Sequence, residues 1–337
     1  MKRVGKLALS VVIIVMVASL VSCVSFNKAT VATVNGDSIT REEFVYYLTS
    51  VKAQIESEQG ADIPEDFWET AEIDGKKVIE TAKEKALEEA VKSKVAYQKA
   101  MEEGIKITSE QRKDINSRLG QIITNNNGEK GANEYLKQYG LNLKLLEKQY
   151  EINYLSQNLS EKLTGDIDDA AALEYYKNSI ARVKHVLIKT VDDQGTPLSV
   201  EAIEAAKIKA DDILKRAKEG EDFDKLVAEF SEDPGSTSQP EGYYVGKGFA
   251  LGNPGGGMVK AFETASLELE VGGISDIVET SFGYHIIKRY ENAESKYEEN
   301  KVELLFRAKN ARFEELLEGW KNEAKIEKKD KEYNSVK

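Results

Sequence analysis

The chain has 337 residues, long enough for two domains that each bury a core. It carries 59 acidic against 47 basic side chains, a formal net charge of −12. Nucleic-acid binding needs a basic surface, so this balance argues against nucleic acid as a partner.

The first 22 residues have the layout of a secretory signal. A basic start with Lys2, Arg3 and Lys6 precedes the apolar run LALSVVIIVMVASLV, which is short for a membrane-spanning helix. The run ends in LVSC at residues 20–23, which resembles the lipobox of bacterial lipoproteins, where the cysteine is diacylated and becomes the mature N-terminus. We therefore predict a lipoprotein signal peptide over residues 1–22, with an uncleaved N-terminal anchor as the alternative.

The cysteine content agrees with lipidation. Cys23 is the only cysteine in the sequence, so no intramolecular disulfide can form, and no thiol remains for catalysis or metal binding. Cleavage would remove three basic residues, and so acidic a chain is weakly attracted to an anionic membrane surface. The lipid would therefore do the anchoring, which predicts an extracytoplasmic protein held at the bacterial cell membrane through Cys23.

The segment after the signal is mainly helical in pattern. Ala29–Leu48 predicts a strand, an Asn-Gly turn, a short strand and a helix that begins with a capping box of Thr40 and Glu43. Further helical patterns continue to about residue 162, one of them opening on a second capping box of Thr108 and Gln111. We interpret these helices as ordinary surface helices around a core, with arms that hold another polypeptide as the alternative.

The composition changes near residue 180, where glycine and proline become frequent and strand-like runs begin. The predicted strands are 183–190, 242–246, 274–280 and 284–290. The predicted helices between them are 200–218, 223–230 and 258–267. This order predicts a small mixed domain of antiparallel sheet and helices.

After Tyr290 the chain returns to a long charged helix. Its apolar face is predicted to comprise Phe306, Phe313, Leu316, Leu317 and Trp320. A helix of this length without a domain of its own is expected to pack on the N-terminal helices. The mixed domain would then be an insertion in a helical one. The expected boundaries are 1–22, 23–178, 179–291 and 292–337.

The inserted domain holds the residues that suggest chemistry. His185 and His285, the only histidines in the sequence, lie in its first and last predicted strands. Such strands often pair at the centre of a small antiparallel sheet, so the two imidazoles could meet and fix each other's tautomers. Asp233 lies in a turn after a helix, and Met258 and Phe262 have i, i+4 spacing on a predicted helix. This set contains neither a metal-ligand pattern nor a nucleophile–base pair.

Each of these residues also has a structural interpretation. A single histidine in an apolar strand is usually a core residue with satisfied hydrogen bonds. Met258 and Phe262 could be ordinary core, and Asp233, which precedes Pro234, is a natural turn residue.

The segments RVKHVLIKT, SEDPGS, GMVKAFE and FGYHIIK occur in this order between residues 181 and 291. Together they resemble a parvulin-type peptidyl-prolyl cis/trans isomerase domain. The flanking regions resemble the secreted chaperone-isomerases of the SurA and PrsA families, in which a VNG..IT..EF segment and a C-terminal helix form a helical module. The resemblance implies an α+β fold, a parvulin domain inserted in a mainly α-helical chaperone module. The lipobox favours the lipid-anchored PrsA type.

The resemblance also implies roles for individual residues. His185 and His285 would form the floor of the site, and Thr280 would lie at the pocket edge within their hydrogen-bond network. Asp233 stands where parvulins carry a cysteine or an aspartate near the substrate carbonyl. The resemblance implies neither a metal nor a cofactor.

Four residues are expected on the substrate-binding side: Met258, Phe262, Phe282 and Tyr244. Met258 and Phe262 would line the proline pocket, and Phe282 occupies a position that is serine or aromatic in parvulins. Two segments depart from the family pattern. EGYYVGKG replaces a Gly-Gly-Asp-Leu-Gly pattern, and the loop FALGNPGGG at residues 249–257 is longer than usual and is expected beside the pocket.

The predicted function is an extracytoplasmic, lipid-anchored foldase that isomerises X-Pro bonds and chaperones secreted proteins. Its partners would be unfolded or newly secreted polypeptides with X-Pro bonds, and the membrane through the lipid on Cys23. Whether the chain forms a homodimer is left open. One alternative is a holding chaperone whose parvulin domain binds peptides with little turnover. Another is a lipoprotein adhesin that uses the fold as a scaffold.

Overall fold

The computed structural model describes residues 29–59, 63–64, 66–73, 75–253 and 256–336. The predicted signal peptide and Cys23 lie outside the described residues. The strands, in chain order, are β1 (Thr30–Val34), β2 (Asp37–Thr40), β3 (Glu72–Ile73), β4 (Lys76–Lys77), β5 (Ala181–Lys189), β6 (Tyr243–Gly246), β7 (Phe249–Ala250), β8 (Val278–Thr280), β9 (Gly283–Tyr290) and β10 (Ile326–Lys328). The helices are α1 (Arg41–Gln59), α2 (Phe67–Thr70), α3 (Val78–Glu102), α4 (Ser109–Asn125), α5 (Glu129–Lys137), α6 (Leu143–Leu163), α7 (Asp169–Ser179), α8 (Val200–Lys218), α9 (Phe223–Phe230), α10 (Gly235–Ser238), α11 (Lys260–Glu268), α12 (Glu294–Glu323) and α13 (Asp330–Asn334).

The chain divides into two compact units. The first comprises the described residues up to Thr164 together with 312–336, and the second comprises the described residues of Gly165–Ala311. The second unit is contiguous in sequence and is called the inner unit below, because its sequence lies between the two parts of the first. The first unit is called the outer unit. The sequence-based domain boundaries at residues 178 and 291 stay a prediction.

The first unit has a small antiparallel sheet in the order β10-β1-β2. Asn35 and Gly36 have positive φ angles of 52° and 92°, the geometry that makes an Asn-Gly pair suitable for the turn between β1 and β2. At the start of α1, the Thr40 hydroxyl accepts from the Glu43 N–H, and the Glu43 carboxylate accepts from the Thr40 N–H. The capping box predicted from the sequence is therefore present.

The last part of α12 contributes to the same unit. Phe313 and Leu317 are buried with Ala96 on α3 and Leu159 on α6. The expectation that Phe306 shares this apolar face is wrong, because Phe306 is 60% exposed. Earlier along α12 the buried positions include Leu304 and Ala308. At about 100° per residue, Phe306 lies roughly 200° around the helix from Leu304.

The second unit is built around a five-stranded antiparallel sheet in the order β7-β6-β5-β9-β8. The first and last long strands, β5 and β9, pair along their length at the centre, with His185 opposite Ile287 and Leu187 opposite His285. Val186 and Ile286 point to the face covered by α8 and α9. Because side chains alternate along a strand, the histidines lie on the other face, with α11.

The sequence predicts α8 and α9 with the bounds that the structure shows, but α11 begins later than expected. The predicted start at residue 258 is wrong: the helix starts at Lys260, and Val259 has non-helical torsion angles (φ −56°, ψ 142°). Met258 thus precedes the helix and is not one turn away from Phe262. The predicted strand 274–280 is shorter as well, since β8 starts at Val278 and Ile274 forms only an isolated bridge to Lys288.

Among the described residues, none of the helices has the length and apolar content needed to cross a membrane.

Candidate active site

The two histidines meet on the face of the sheet under α11. His185 Nδ1 and His285 Nδ1 are 3.2 Å apart. Both residues are buried, with His185 7% and His285 4% exposed. They are diagonal neighbours across β5 and β9, because His185 pairs with Ile287, two residues from His285 on the same face. The sheet register therefore brings together side chains that are 100 residues apart in the sequence.

Both rings continue the hydrogen-bond chain outward. His185 Nε2 is 3.0 Å from Asp233 Oδ2, and His285 Nε2 is 2.8 Å from Thr280 Oγ1. An ionised carboxylate only accepts, so His185 Nε2 carries a proton. When His185 is neutral, its Nδ1 accepts from His285 Nδ1–H, and His285 Nε2 accepts from the Thr280 hydroxyl. Thr280 in turn accepts from the Phe282 N–H at 3.1 Å, so each group in the chain has a partner.

Burial and hydrogen bonding determine the protonation of Asp233 and His285. Burial alone would raise the pKa of Asp233, but the hydrogen bonds from His185, Tyr243 and the Gly235 N–H lower it to about 2. Burial, together with the neighbouring His185 ring, lowers the pKa of His285 to about 3. At neutral pH Asp233 is therefore a carboxylate and His285 is uncharged.

The turn that carries Asp233 is tied to β5 by its backbone and by Ser231. The Ser231 hydroxyl donates to the His185 carbonyl and accepts from the Leu187 N–H, and the Glu232 N–H donates to the Leu187 carbonyl. These contacts place the acidic turn directly beside the histidine strand. The fold of the segment SEDPGS therefore brings Asp233 within reach of His185.

The apolar part of the site is centred on Phe262. Its ring, 2% exposed, makes edge contacts with both imidazoles, with centroid distances of 4.8 Å to His185 and 5.3 Å to His285. Met258 packs against the same cluster although it precedes the helix. Phe282 lies in the turn before β9 and is 52% exposed, so it stands at the rim.

Tyr244 does not lie with these residues. It is buried with Tyr176, Phe249 and Tyr297 in a separate cluster. Its neighbour Tyr243 faces the histidines instead, and its hydroxyl donates to Asp233 Oδ2 at 2.6 Å. The placement of Tyr244 on the substrate-binding side does not fit this structure, because consecutive strand residues point to opposite faces. Val183, which lies on the same face of β5 as His185, pairs with Tyr243 on β6. Side-chain alternation along β5, combined with this strand pairing, is the signal that selects Tyr243.

The long loop after β6 is held at its start. Phe249 and Leu251 are buried in the cluster that contains Tyr244, away from the histidines. The Gly248 N–H donates to the buried Glu263 carboxylate at 2.7 Å, which connects the β6–β7 turn to α11. The described part of this loop is therefore anchored to the unit, and its apolar side chains do not enter the histidine site.

Across the part of the chain that the structure describes, no group of three or more His, Cys, Asp or Glu side chains is arranged to hold a metal ion. The histidine nitrogens are engaged with each other, with Asp233 and with Thr280. The arrangement offers an ordered histidine pair, one adjacent carboxylate and an aromatic surface.

Comparison with known proteins agrees with this architecture. A family model described as a PPIC-type PPIase domain matches residues 172–293, and one described as a SurA-like N-terminal domain matches residues 2–138. The foldase protein PrsA of Caldanaerobacter subterraneus subsp. tengcongensis is 31% identical over 84% of this chain and 81% of its own length. PrsA of Clostridium botulinum strain Kyoto is 30% identical over 90% of this chain and 89% of its own length.

Among solved structures, the peptidylprolyl isomerase PrsA from Bacillus anthracis covers 70% of this chain and 96% of its own, with 21% identity and a TM-score of 0.35. The PPIase family match assigns the inner unit to the parvulin-type peptidyl-prolyl cis/trans isomerases. The chain as a whole belongs to the PrsA foldase family.

Proposed function

We propose that the hydrogen-bonded chain of Asp233, His185, His285 and Thr280 forms the floor of the isomerase site, with Phe262 and Met258 on its apolar side and Phe282 at its rim. The observation that supports this most is that the hydrogen bonds form an unbroken series: four side chains from three separate segments of the sequence lie within hydrogen-bond distance of one another. A buried polar network whose members are all hydrogen-bonded makes its surroundings more rigid, which would hold the pocket in shape.

The chemistry requires no covalent step. Rotation about a peptide bond faces a barrier of about 18–20 kcal/mol, because twisting breaks amide resonance. In the twisted state the carbonyl is less polarised and the nitrogen more pyramidal. A pocket that grips the proline ring and favours the twisted form over both planar forms accelerates exchange in both directions. The Asp233 carboxylate, close to the substrate carbonyl, would disfavour the polarised planar state.

Replacing Asp233 by alanine tests this role. We expect kcat/KM for cis-to-trans conversion of an X-Pro tetrapeptide to fall at least about tenfold, a loss of roughly 1.4 kcal/mol of transition-state stabilisation. Asp193→Ala is the control, because this carboxylate is highly exposed and its ion pair is a local one with Lys189, four residues earlier. Full activity of Asp233→Ala would exclude the role proposed for the carboxylate.

The same assay on the unmodified chain distinguishes an active foldase from a holding chaperone. We expect acceleration of X-Pro exchange and, in a parallel light-scattering experiment, suppressed aggregation of an unfolded client. Suppressed aggregation without any acceleration would support the holding chaperone. Absence of both effects would favour a scaffold role for the fold.

We further propose that the protein acts outside the cytoplasm on newly secreted polypeptides, anchored by a lipid on Cys23. The basic and apolar start followed by LVSC supports this, as does membership of a foldase family. In a bacterial host fed radiolabelled palmitate, we expect the unmodified protein to carry label in the membrane fraction. A Cys23→Ala variant should lose both the label and the membrane association. Equal labelling of the two proteins would contradict the proposal.

A further inference from the structure

We propose that Tyr243 is a positioning residue for the isomerase reaction, and that Gly235 lacks a side chain in order to admit the Tyr243 hydroxyl beside Asp233. This inference rests on the role proposed above for Asp233. It concerns the segment EGYYVGKG, where the sequence departs from the usual parvulin pattern.

The Asp233 carboxylate receives three hydrogen bonds. Tyr243 Oη donates to Oδ2 at 2.6 Å, and His185 Nε2 lies 3.0 Å from the same oxygen. The Gly235 N–H donates to Oδ1 at 3.1 Å. Two donors that converge on one oxygen fix the rotation of the carboxylate as well as its ionised state.

The position of the carboxylate matters for the whole chain of hydrogen bonds. An ionised Asp233 keeps a proton on His185 Nε2, so that in the neutral form of His185 the Nδ1 atom accepts from His285. Without the tyrosine hydroxyl, Oδ2 retains one donor from this set, and Asp233 is freer to rotate away or to take up a proton. Tyr243 therefore acts on the histidine pair through Asp233.

Gly235 gives an independent reason to regard this contact as built in. A Cβ atom at Gly235 would lie 1.6 Å from Tyr243 Oη, 2.9 Å from its Cζ and 3.0 Å from Asp233 Oδ2. Gly235 opens α10 and does not have a positive φ, so its backbone conformation is available to any residue. The glycine is explained by the space that the hydroxyl occupies.

The simpler explanation is that Tyr243 only packs. Its ring does contact His185, with centroids 5.6 Å apart, and it packs against the cluster that contains Phe262. Tyr243→Phe separates the two explanations, because it keeps the ring and removes only the hydroxyl. Tyr244→Phe is the matched control, since the adjacent hydroxyl lies in the cluster on the far side from the histidines.

The experiment measures X-Pro exchange by NMR on the full mature chain between pH 3 and pH 8. For Tyr243→Phe we expect kcat/KM to fall about tenfold, as for loss of a hydrogen bond to a charged group. We expect the acid limb of its pH profile to move upward, because Asp233 loses a donor and its pKa rises from about 2 toward the ordinary value. The imidazole nitrogen spectra of His185 and His285 should change as well. Tyr244→Phe should match the wild type in all three measurements.

A double-mutant cycle tests the pairing of Tyr243 with Gly235. Gly235→Ala alone should lower kcat/KM more than Tyr243→Phe does, because the new methyl group collides with the hydroxyl. In the Tyr243→Phe background the same change should cost several-fold less, since the closest clash is gone. Additive losses would overturn the pairing of Tyr243 with Gly235. A Tyr243→Phe enzyme with wild-type pH profile and imidazole spectra would overturn the positioning role of Tyr243.

If Asp233→Ala itself retains full activity, the role proposed for Asp233 fails, and the present inference fails with it. If Asp233→Ala is impaired and Tyr243→Phe is not, only the present inference fails.

Discussion

Replacing Phe262 by alanine is expected to lower the free energy of unfolding of the inner unit by about 3–5 kcal/mol. It should also lower kcat/KM by far more than tenfold. The ring is 2% exposed and makes edge contacts with both imidazoles, so its removal opens a cavity directly above the histidine pair. Hydrogen exchange of the β5 and β9 amides reports the stability of this unit, and the tetrapeptide assay reports the activity.

Phe223→Ala is the matched control. Phe223 is 1% exposed and also buried against the sheet, but in the cluster on the face opposite to the histidines. We expect a similar loss of stability and a much smaller loss of activity under conditions where both variants remain folded. Equal loss of activity in the two variants would mean that Phe262 contributes through stability alone.

The second large effect is expected at Glu43, in the outer unit. This carboxylate is 4% exposed and serves three partners: the Thr40 N–H at 2.8 Å, Lys148 at 2.7 Å and Lys94 at 3.4 Å. Glu43→Ala removes a helix cap and leaves Lys94 without this partner in a largely buried position, so we expect a loss of about 3 kcal/mol in the free energy of unfolding. Denaturant unfolding of the full chain measures it, with the adjacent first-turn residue Glu42→Ala as the control.

The pH dependence gives a second measurement on the same residue. Burial would raise the pKa of Glu43, but the hydrogen bonds from Lys148 and Thr40 and the charge of Lys94 lower it. A lowered carboxyl pKa means that the stabilisation is present above the ordinary value and is lost as the pH falls through the folded-state value. Part of the acid destabilisation of the outer unit should therefore be absent in Glu43→Gln. An unchanged acid profile would contradict this account.

Much of the fold could be predicted because local signals and the tertiary structure agree. The Asn-Gly turn, the capping box of Thr40 and Glu43, and the bounds of α8 and α9 each depend on residues close in sequence. The start of α11 and the exposure of Phe306 on α12 depend on which face of each helix packs against the neighbouring elements. The periodicity of apolar residues alone does not determine this. The missed strand β10 pairs with β1, and a three-residue strand so distant from its partner leaves no local pattern.

The candidate site shows the same division. The meeting of His185 and His285 followed from the tendency of terminal strands to pair, and Asp233 and Thr280 came from the family resemblance. Tyr243 is not among the residues predicted from the sequence, because nothing local distinguishes it from Tyr244. Only the pairing of β5 with β6, which sets the face of each tyrosine, decides between them.

The outer unit draws on both ends of the chain, and this has a consequence for the order of folding. Val34 on β1 pairs with Ile326 on β10, so the outer sheet cannot be completed until residue 326 has emerged. The inner unit, Gly165–Ala311, is contiguous and closes its contacts over much shorter loops. As the chain emerges N-terminus first, the isomerase unit is therefore complete before the helical unit that brackets it.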